Sequence, residues 1–433
     1  MKLSSTRKIL TSEKSSRVLI ITCWIIYMIA YLTRNTYAAS IVHLTGEGLV
    51  TTSMAGLVST CYFVSYGSGH LINGILADRV SPVPMLSIGI IGTAVANLLM
   101  PVVIPSVPLM ILVWTANGFL ESMLWAPIVV LLSGVIAEKL RYSAIAAISS
   151  SRPTGQILAY LFSAVCSYLG VGFKVSFVIA AICAVLTCVL LAVVSSAAFS
   201  APDVQIVEIR PKEKKGKGEG AGKETDRSAS LFRLMAASGA LIFLLPVVFH
   251  GMLKDGVNTW VPTILRDTFD ASATLSTVLA IILPLAGLAG VLFANFLLGR
   301  KRLLGNHPLI GIIIMMATAI PTALLLQAKA LTLVVGVICL CLISFLMESF
   351  NHVFSVMMPA QFATFGKAAT VSGIINSLVY IGSAISTYAF GAVAEQVGWS
   401  MTTLMWLALA LATAAILAFA LKPWKRFMQT QRN

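Results

Sequence analysis

Three basic residues, Arg34, Arg152 and Lys254, stand inside long apolar stretches, apart from the other lysines and arginines of the chain. A cation at mid-membrane costs ~2.5–3.5 kcal/mol on insertion scales, so each must face protein or water rather than lipid. Two uses of such groups are open. The first is an anion site with Arg34 and Lys254 as its two arms and Arg152 as a third contact. Arginine suits it because a planar guanidinium donates two parallel hydrogen bonds to phosphate or carboxylate oxygens, whereas lysine acts as a compact point charge. The second is a set of structural ion pairs with Glu121, Asp255 and Glu348, which also lie within spans and cancel the formal charge. Asp255 directly follows Lys254, and neighbouring helical side chains point about 100° apart, which makes it a poor direct partner.

Polar companions surround these cations. Tyr27, Tyr31 and Arg34 are spaced i, i+4, i+7 and share one helix face, a fitting lining for a polar anion. Tyrosines near helix ends also serve as interfacial anchors. Tyr66 and His70 repeat the i, i+4 spacing. His70 either handles a proton, its pKa lying near physiological pH, or packs as a neutral ring. Arg152 precedes Pro153, and proline removes a ladder hydrogen bond and disfavours helix just before it, which predicts a bend. Glu348, Asn351 and His352 form a polar cluster that either joins helices or meets substrate.

The elements that must position these groups are membrane helices. The chain of 433 residues is 58% hydrophobic and 11% charged, with mean hydropathy +0.92, whereas soluble domains average about a quarter charged residues. Twelve apolar segments, each long enough for a bilayer crossing of about 20 residues, occupy 18–42, 51–76, 84–105, 108–135, 143–169, 172–199, 232–262, 272–298, 308–328, 331–358, 368–390 and 398–421. Unbroken runs of this length exclude a barrel of short alternating strands and leave helices. The expected architecture is an all-α membrane protein of twelve transmembrane helices in two six-helix halves. Residues 1–17 form a tail, 18–199 the first bundle, 200–230 a linker, 231–421 the second bundle and 422–433 a second tail. The linker is rich in Lys, Glu and Gly, a composition that cannot build a core and reads as disordered.

Charge placement orients the chain. With the N-terminus cytoplasmic, 24 of the 30 lysines and arginines fall on the inside, and only Lys174, Arg266 and Lys329 outside, as the positive-inside bias requires. Both termini and the linker are then cytoplasmic in a multi-pass protein of the cell membrane. The same asymmetry accounts for the net charge of +14, so no nucleic-acid partner is invoked; lipid is the expected partner, and the chain is expected to be a monomer. The seven cysteines all lie in apolar stretches without metal-like or disulfide-like spacing and read as small buried hydrophobes. The first segment carries Arg34 and resembles the eleven that follow, so it reads as a retained span and not a signal peptide. No nucleophile constellation or soluble catalytic domain points to an enzyme, and no cofactor or metal is expected. A parallel repeat shows in the charges: Arg34 is followed by Asp78 and Arg79 after span two, and Lys254 by Arg300 and Lys301 after span eight.

The stretch Gly74 to Pro82, G-I-L-A-D-R-V-S-P, resembles the G-x-L-x-D-R loop signature of the major facilitator superfamily, with Ser81-Pro82 where the usual basic tail would be. Gly74 would permit close helix approach, and Asp78 and Arg79 would bridge helices at a gate. Four further stretches resemble the organophosphate–phosphate antiporters of that superfamily. They are Y-L-T-R (Tyr31 to Arg34), S-Y-G-S-G-H (Ser65 to His70), N-G-F-L-E-S-M-L-W-A-P (Asn117 to Pro127, with Trp125) and K-D-G-V-N-T-W-V-P-T-I-L (Lys254 to Leu265). The resemblance implies the major facilitator fold and places Arg34 and Lys254 at the family's two phosphate-binding arginines, with Arg152 at a binding-site histidine. Departures are Lys254 for an arginine, Glu121 for a glutamine, Ala126 for a proline, and His70 and Asn35 where lysines are frequent. The resulting expectation is a secondary transporter of a small organic anion, a phosphorylated metabolite exchanged for inorganic phosphate. Two alternatives stand beside it: a proton-coupled anion symporter using Glu121, Glu348 or His352, and a transport-inactive receptor for a phosphorylated metabolite.

Overall fold

The computed structural model describes residues 5–10, 12–77, 80–140, 144, 147–148, 150–200, 204–209, 231–300, 303–362, 365 and 367–430. The first half holds α1 Glu13–Gly46, α2 Thr52–Ala77, α3 Pro82–Val103, α4 Val107–Glu121, α5 Trp125–Gly134, α6 Ser151–Tyr168 and α7 Lys174–Ser200. The second holds α8 Leu231–Ser238, α9 Leu244–Phe269, α10 Ala273–Ala280, α11 Ile282–Leu298, α12 His307–Leu325, α13 Leu333–Asn351, α14 Ala368–Val397 and α15 Trp399–Thr430. The pairs α4–α5 and α10–α11 are each one expected span interrupted by a short turn. Among the described residues, ten helices are long and apolar enough to cross a bilayer. The two expected spans that complete the twelve are α2 and α6, whose apolar character is diluted by Tyr66, His70 and Asn73 in one and Arg152 and Gln156 in the other.

Local chemistry sets the starts. Ser12 caps α1 by accepting the Ser15 N–H, Ser272 caps α10 through Leu275 N–H at 3.1 Å, and Thr332 caps α13 through Val335 N–H. Each hydroxyl satisfies one backbone donor that a first helical turn leaves unpaired. Pro153 sits in the first turn of α6, which starts after a turn at Ser150. The expected bend therefore takes the form of a fresh helix start, where proline is tolerated because that N–H has no ladder partner.

The two halves pack by one plan. In the first, α1 lies against α6, α2 against α4 and α3 against α7; in the second, α9 lies against α14, α11 against α13 and α12 against α15. These are equivalent pairs in a six-helix repeat, so the repeat glimpsed in the charges is a repeat of packing. Contact between halves runs mainly through α2 against α14 and α6 against α10 and α11, with α1 meeting α9.

Several boundaries differ from expectation. Ser5–Leu10 of the first tail forms strand β1, paired antiparallel with β2, Val204–Ile209, inside what was read as an unstructured linker. Alternation in V-Q-I-V-E-I favours a strand locally, and the charged composition of its neighbours masked that signal. Residues 201–203 and 210–230 of the linker lie outside the described residues. The second tail is helical as far as Thr430, because a helix that leaves the bilayer continues on Leu, Lys and Arg propensity. Only Cys23, Cys166 and Cys339 are fully buried; Cys61, Cys183, Cys188 and Cys341 are half-buried.

Candidate functional site

Arg34 on α1, Arg152 on α6 and Lys254 on α9 line one cavity between the two halves. It measures about 60 Å³, room for a few waters and well below the roughly 300–1,000 Å³ of pockets that hold drug-sized ligands. Gln156 and Asn258 also line it, one helical turn beyond Arg152 and Lys254, and Tyr31 and Asn35 flank Arg34. The wall thus combines three cations and the carboxylate of Asp255 with amides and four phenols; the cations, amides and phenols are donors that a polar anion can use.

Every one of the three cations also has an acid. Arg34 Nε donates to Glu121 Oε1 at 2.9 Å, and its Nη2 lies 2.7 Å from the same oxygen in an ion pair. Tyr62 donates to Glu121 Oε2 at 2.6 Å. Glu121 is the last residue of α4, and the turn at Ser122–Leu124 separates it from α5. Three rings surround the Arg34 guanidinium carbon, with centroids of Tyr66, Tyr31 and Tyr62 at 4.1, 4.6 and 5.4 Å. Such contacts favour a cation by ~0.5–2 kcal/mol each without consuming its donors.

Lys254 Nζ lies 3.3 Å from Asp255 Oδ1, and Asp255 Oδ2 accepts from Ser383 on α14 at 2.5 Å. This corrects the expectation for Asp255. The 100° rule describes where Cβ atoms point, and the four-carbon lysine stem is long enough to curl back past it. Arg152 donates through Nη2 directly to Glu348 on α13, an ion pair between the two halves. The ion pairs expected as the second use are therefore present, and the three paired cations also line one cavity.

Beyond the pairs, contacts between halves bracket the cavity. Toward the end away from the linker, Thr60 and Thr387 hydroxyls meet at 2.9 Å, Tyr160 donates to the Asn258 carbonyl at 3.2 Å, Ser167 meets Thr274 at 2.7 Å and Arg266 bonds the Val42 carbonyl. Toward the linker, Tyr380 on α14 packs edge-on against Tyr66 at 4.9 Å and stacks on His70 at 5.7 Å.

The other sequence-predicted residues take varied places. Among the described residues that line the cavity, Tyr27, Tyr66, His70, Trp125 and His352 are not found. Tyr27 stands behind the wall, 5.2 Å from the Tyr31 ring and 4.8 Å from that of Trp125. His352 lies in a π-helical turn, with Nε2 2.9 Å from Asn295 Oδ1 in its own half. A Cβ built on Gly74 would meet nothing within 4 Å, so Gly74 makes no close approach here; that role belongs to Gly56, Gly155 and Gly382, whose added Cβ atoms would strike backbone of neighbouring helices. Asp78 and Arg79 lie outside the described residues. Sequence reasoning missed Gln156 and Asn258, although i, i+4 spacing from Arg152 and Lys254 marks both. It also missed Tyr380, a tyrosine in an otherwise ordinary span that only tertiary packing brings to the site.

Comparisons with known proteins agree with this architecture. Over 106 residues the chain is 31% identical to the membrane sensor protein UhpC of Salmonella typhimurium, a match spanning only 24% of each protein. Over nearly full length it is 25% identical to the glycerol-3-phosphate transporter of Bacillus subtilis, covering 92% of this chain and 90% of that one. It is likewise 23% identical to the probable hexose phosphate transport protein of Chlamydia trachomatis, covering 94% and 90%. Among solved structures, a D-xylose–proton symporter superposes with TM-score 0.73 at 13% identity, covering 93% of this chain and 97% of that one. A family model described as the Major Facilitator Superfamily matches residues 23–387, and the chain belongs to that superfamily.

Proposed function

We propose that the protein is a secondary transporter that carries a phosphorylated organic anion across the cell membrane, exchanging it for inorganic phosphate by alternating access. The observation that carries this reading is the convergence of Arg34, Arg152 and Lys254, from both halves, on one cavity. Its full-length relatives are named for glycerol-3-phosphate and hexose phosphate, which accords with the motif resemblance. On this reading the linker end is cytoplasmic. A phosphate group competes with Glu121 for Arg34 and with Asp255 for Lys254. Contact with cations contributed by both halves draws the bundles together around the cargo, and the sugar or glycerol moiety meets Asn35, Gln156 and Asn258. The cavity must widen to admit such a molecule, and the helix contacts on either side of it are the ones that part in turn.

Thermal unfolding of the purified protein tests the ligand class. A ligand at a hundred times its Kd stabilises by about 2.7 kcal/mol. Inorganic phosphate, glycerol-3-phosphate or a hexose 6-phosphate should therefore raise Tm, and carboxylates of the same size should not. A rise with carboxylates alone would overturn the phosphate assignment. A second reading, a receptor that binds without carrying, is favoured by the similarity to the sensor UhpC. Phosphate-dependent stabilisation with no flux in liposomes would select it.

A further inference from the structure

We infer that this carrier can reorient without cargo, because Glu348 gives Arg152 the negative charge that the anion would otherwise bring, so that exchange is not obligatory. The inference rests on the transport reading above and extends it to the unloaded half of the cycle.

Exchange becomes obligatory when the unloaded site cannot close. Unpaired cations facing each other across two halves repel and must stay hydrated, so only a loaded carrier crosses the closed state. Here that obstacle is removed from within. Arg152 of the first half is bonded to Glu348 of the second, so the pair spans the very boundary that opens and closes. Glu348 is only 7% exposed and is held in place: a Cβ at Gly287 would lie 2.9 Å from its Cγ. Arg34 and Lys254 have acids inside their own halves, Glu121 and Asp255, and these travel with them whichever way the bundles tilt. The formal charges of the three pairs cancel.

Geometry adds a second observation. A cavity of about 60 Å³ is too small for a sugar phosphate, so this arrangement is a contracted one. In it the halves are nonetheless bridged on both sides of the cavity, by Thr60–Thr387 on one and by Arg152–Glu348 and Tyr66–Tyr380 on the other. An unloaded carrier that contracts around its own ion pair passes through the state a return step requires. Deleting the Glu348 charge leaves Arg152 uncompensated in that state, which slows the return by roughly a hundredfold.

Proteoliposomes loaded with radiolabelled inorganic phosphate, with potassium and valinomycin clamping the potential, separate the two modes. Efflux into phosphate-free buffer measures net flux, and efflux into phosphate buffer measures exchange. The wild-type protein should show net flux within about tenfold of exchange, a barrier difference small on the scale of an uncompensated buried charge. Glu348→Gln should lower the net-to-exchange ratio by roughly a hundredfold, and Glu348→Asp, which keeps the charge, should restore it. A wild-type protein that exchanges phosphate but shows no measurable net flux overturns the inference and leaves the transport reading standing. An unchanged ratio in Glu348→Gln also overturns it. Absence of both fluxes in the wild type overturns the transport reading itself, and the inference with it.

Discussion

Arg34→Ala should reduce uptake of organic phosphate by at least about a hundredfold, the equivalent of losing two charge-assisted hydrogen bonds worth ~1.5–3 kcal/mol each. That result alone would not distinguish the two roles of Arg34, because removing one partner of a buried pair leaves an uncompensated charge and costs about 3–5 kcal/mol of stability. Glu121 is 2% exposed and would be stranded. The double variant Arg34→Ala/Glu121→Gln separates the roles. It should recover thermal stability, since the stranded Glu121 charge is gone, while Tyr62 keeps an amide acceptor; it should recover no transport. Recovery of both would reduce Arg34–Glu121 to a structural pair. Uptake into whole cells, corrected for the amount of protein in the membrane, and Tm of the purified variants are the two measurements needed.

Gly56→Val should trap the carrier with the end away from the linker unable to close. An added Cβ at Gly56 would strike the Thr387 carbonyl oxygen and lie 3.1 Å from both the Thr387 carbonyl carbon and Trp260 Cζ2. The Trp260 indole already donates to that carbonyl at 3.2 Å, so neither neighbour has room to yield. Overpacking of this kind costs ~1–3 kcal/mol, which moves the balance between states by roughly tenfold to a hundredfold. Ser59, buried and lining the cavity one turn further in, reports the change. In a Ser59→Cys background, labelling by an impermeant thiol reagent added outside should rise by roughly that factor when Gly56→Val is introduced, and transport should fall. Unchanged labelling would show that α2 and α14 do not form the outer closure.

The spans were legible because lipid imposes one simple demand, about twenty apolar residues per crossing, and the sequence meets it repeatedly. Where that demand ends, legibility ends too. Helix α15 runs on to Thr430 and α4 stops at Glu121, and neither event has a hydropathy signal. Arg34, Arg152 and Lys254 stood out because charge in an apolar run is rare. Which acid each would take was not readable, since Arg34–Glu121 and Arg152–Glu348 join residues 87 and 196 positions apart. Lys254–Asp255 was misjudged for the opposite reason: adjacency suggested divergence, and side-chain length decided otherwise. Tyr380 carried no local mark at all, because its importance lies in facing Tyr66 and His70 across the two halves.

The most direct measurement is the structure of the protein in lipid with a hexose 6-phosphate or glycerol-3-phosphate bound. The account predicts the phosphate between Arg34 and Lys254, with nitrogen-to-oxygen distances of about 2.7–2.9 Å and the Arg34–Glu121 bond opened. A phosphate seated elsewhere, with all three cations still on their acids, would contradict it.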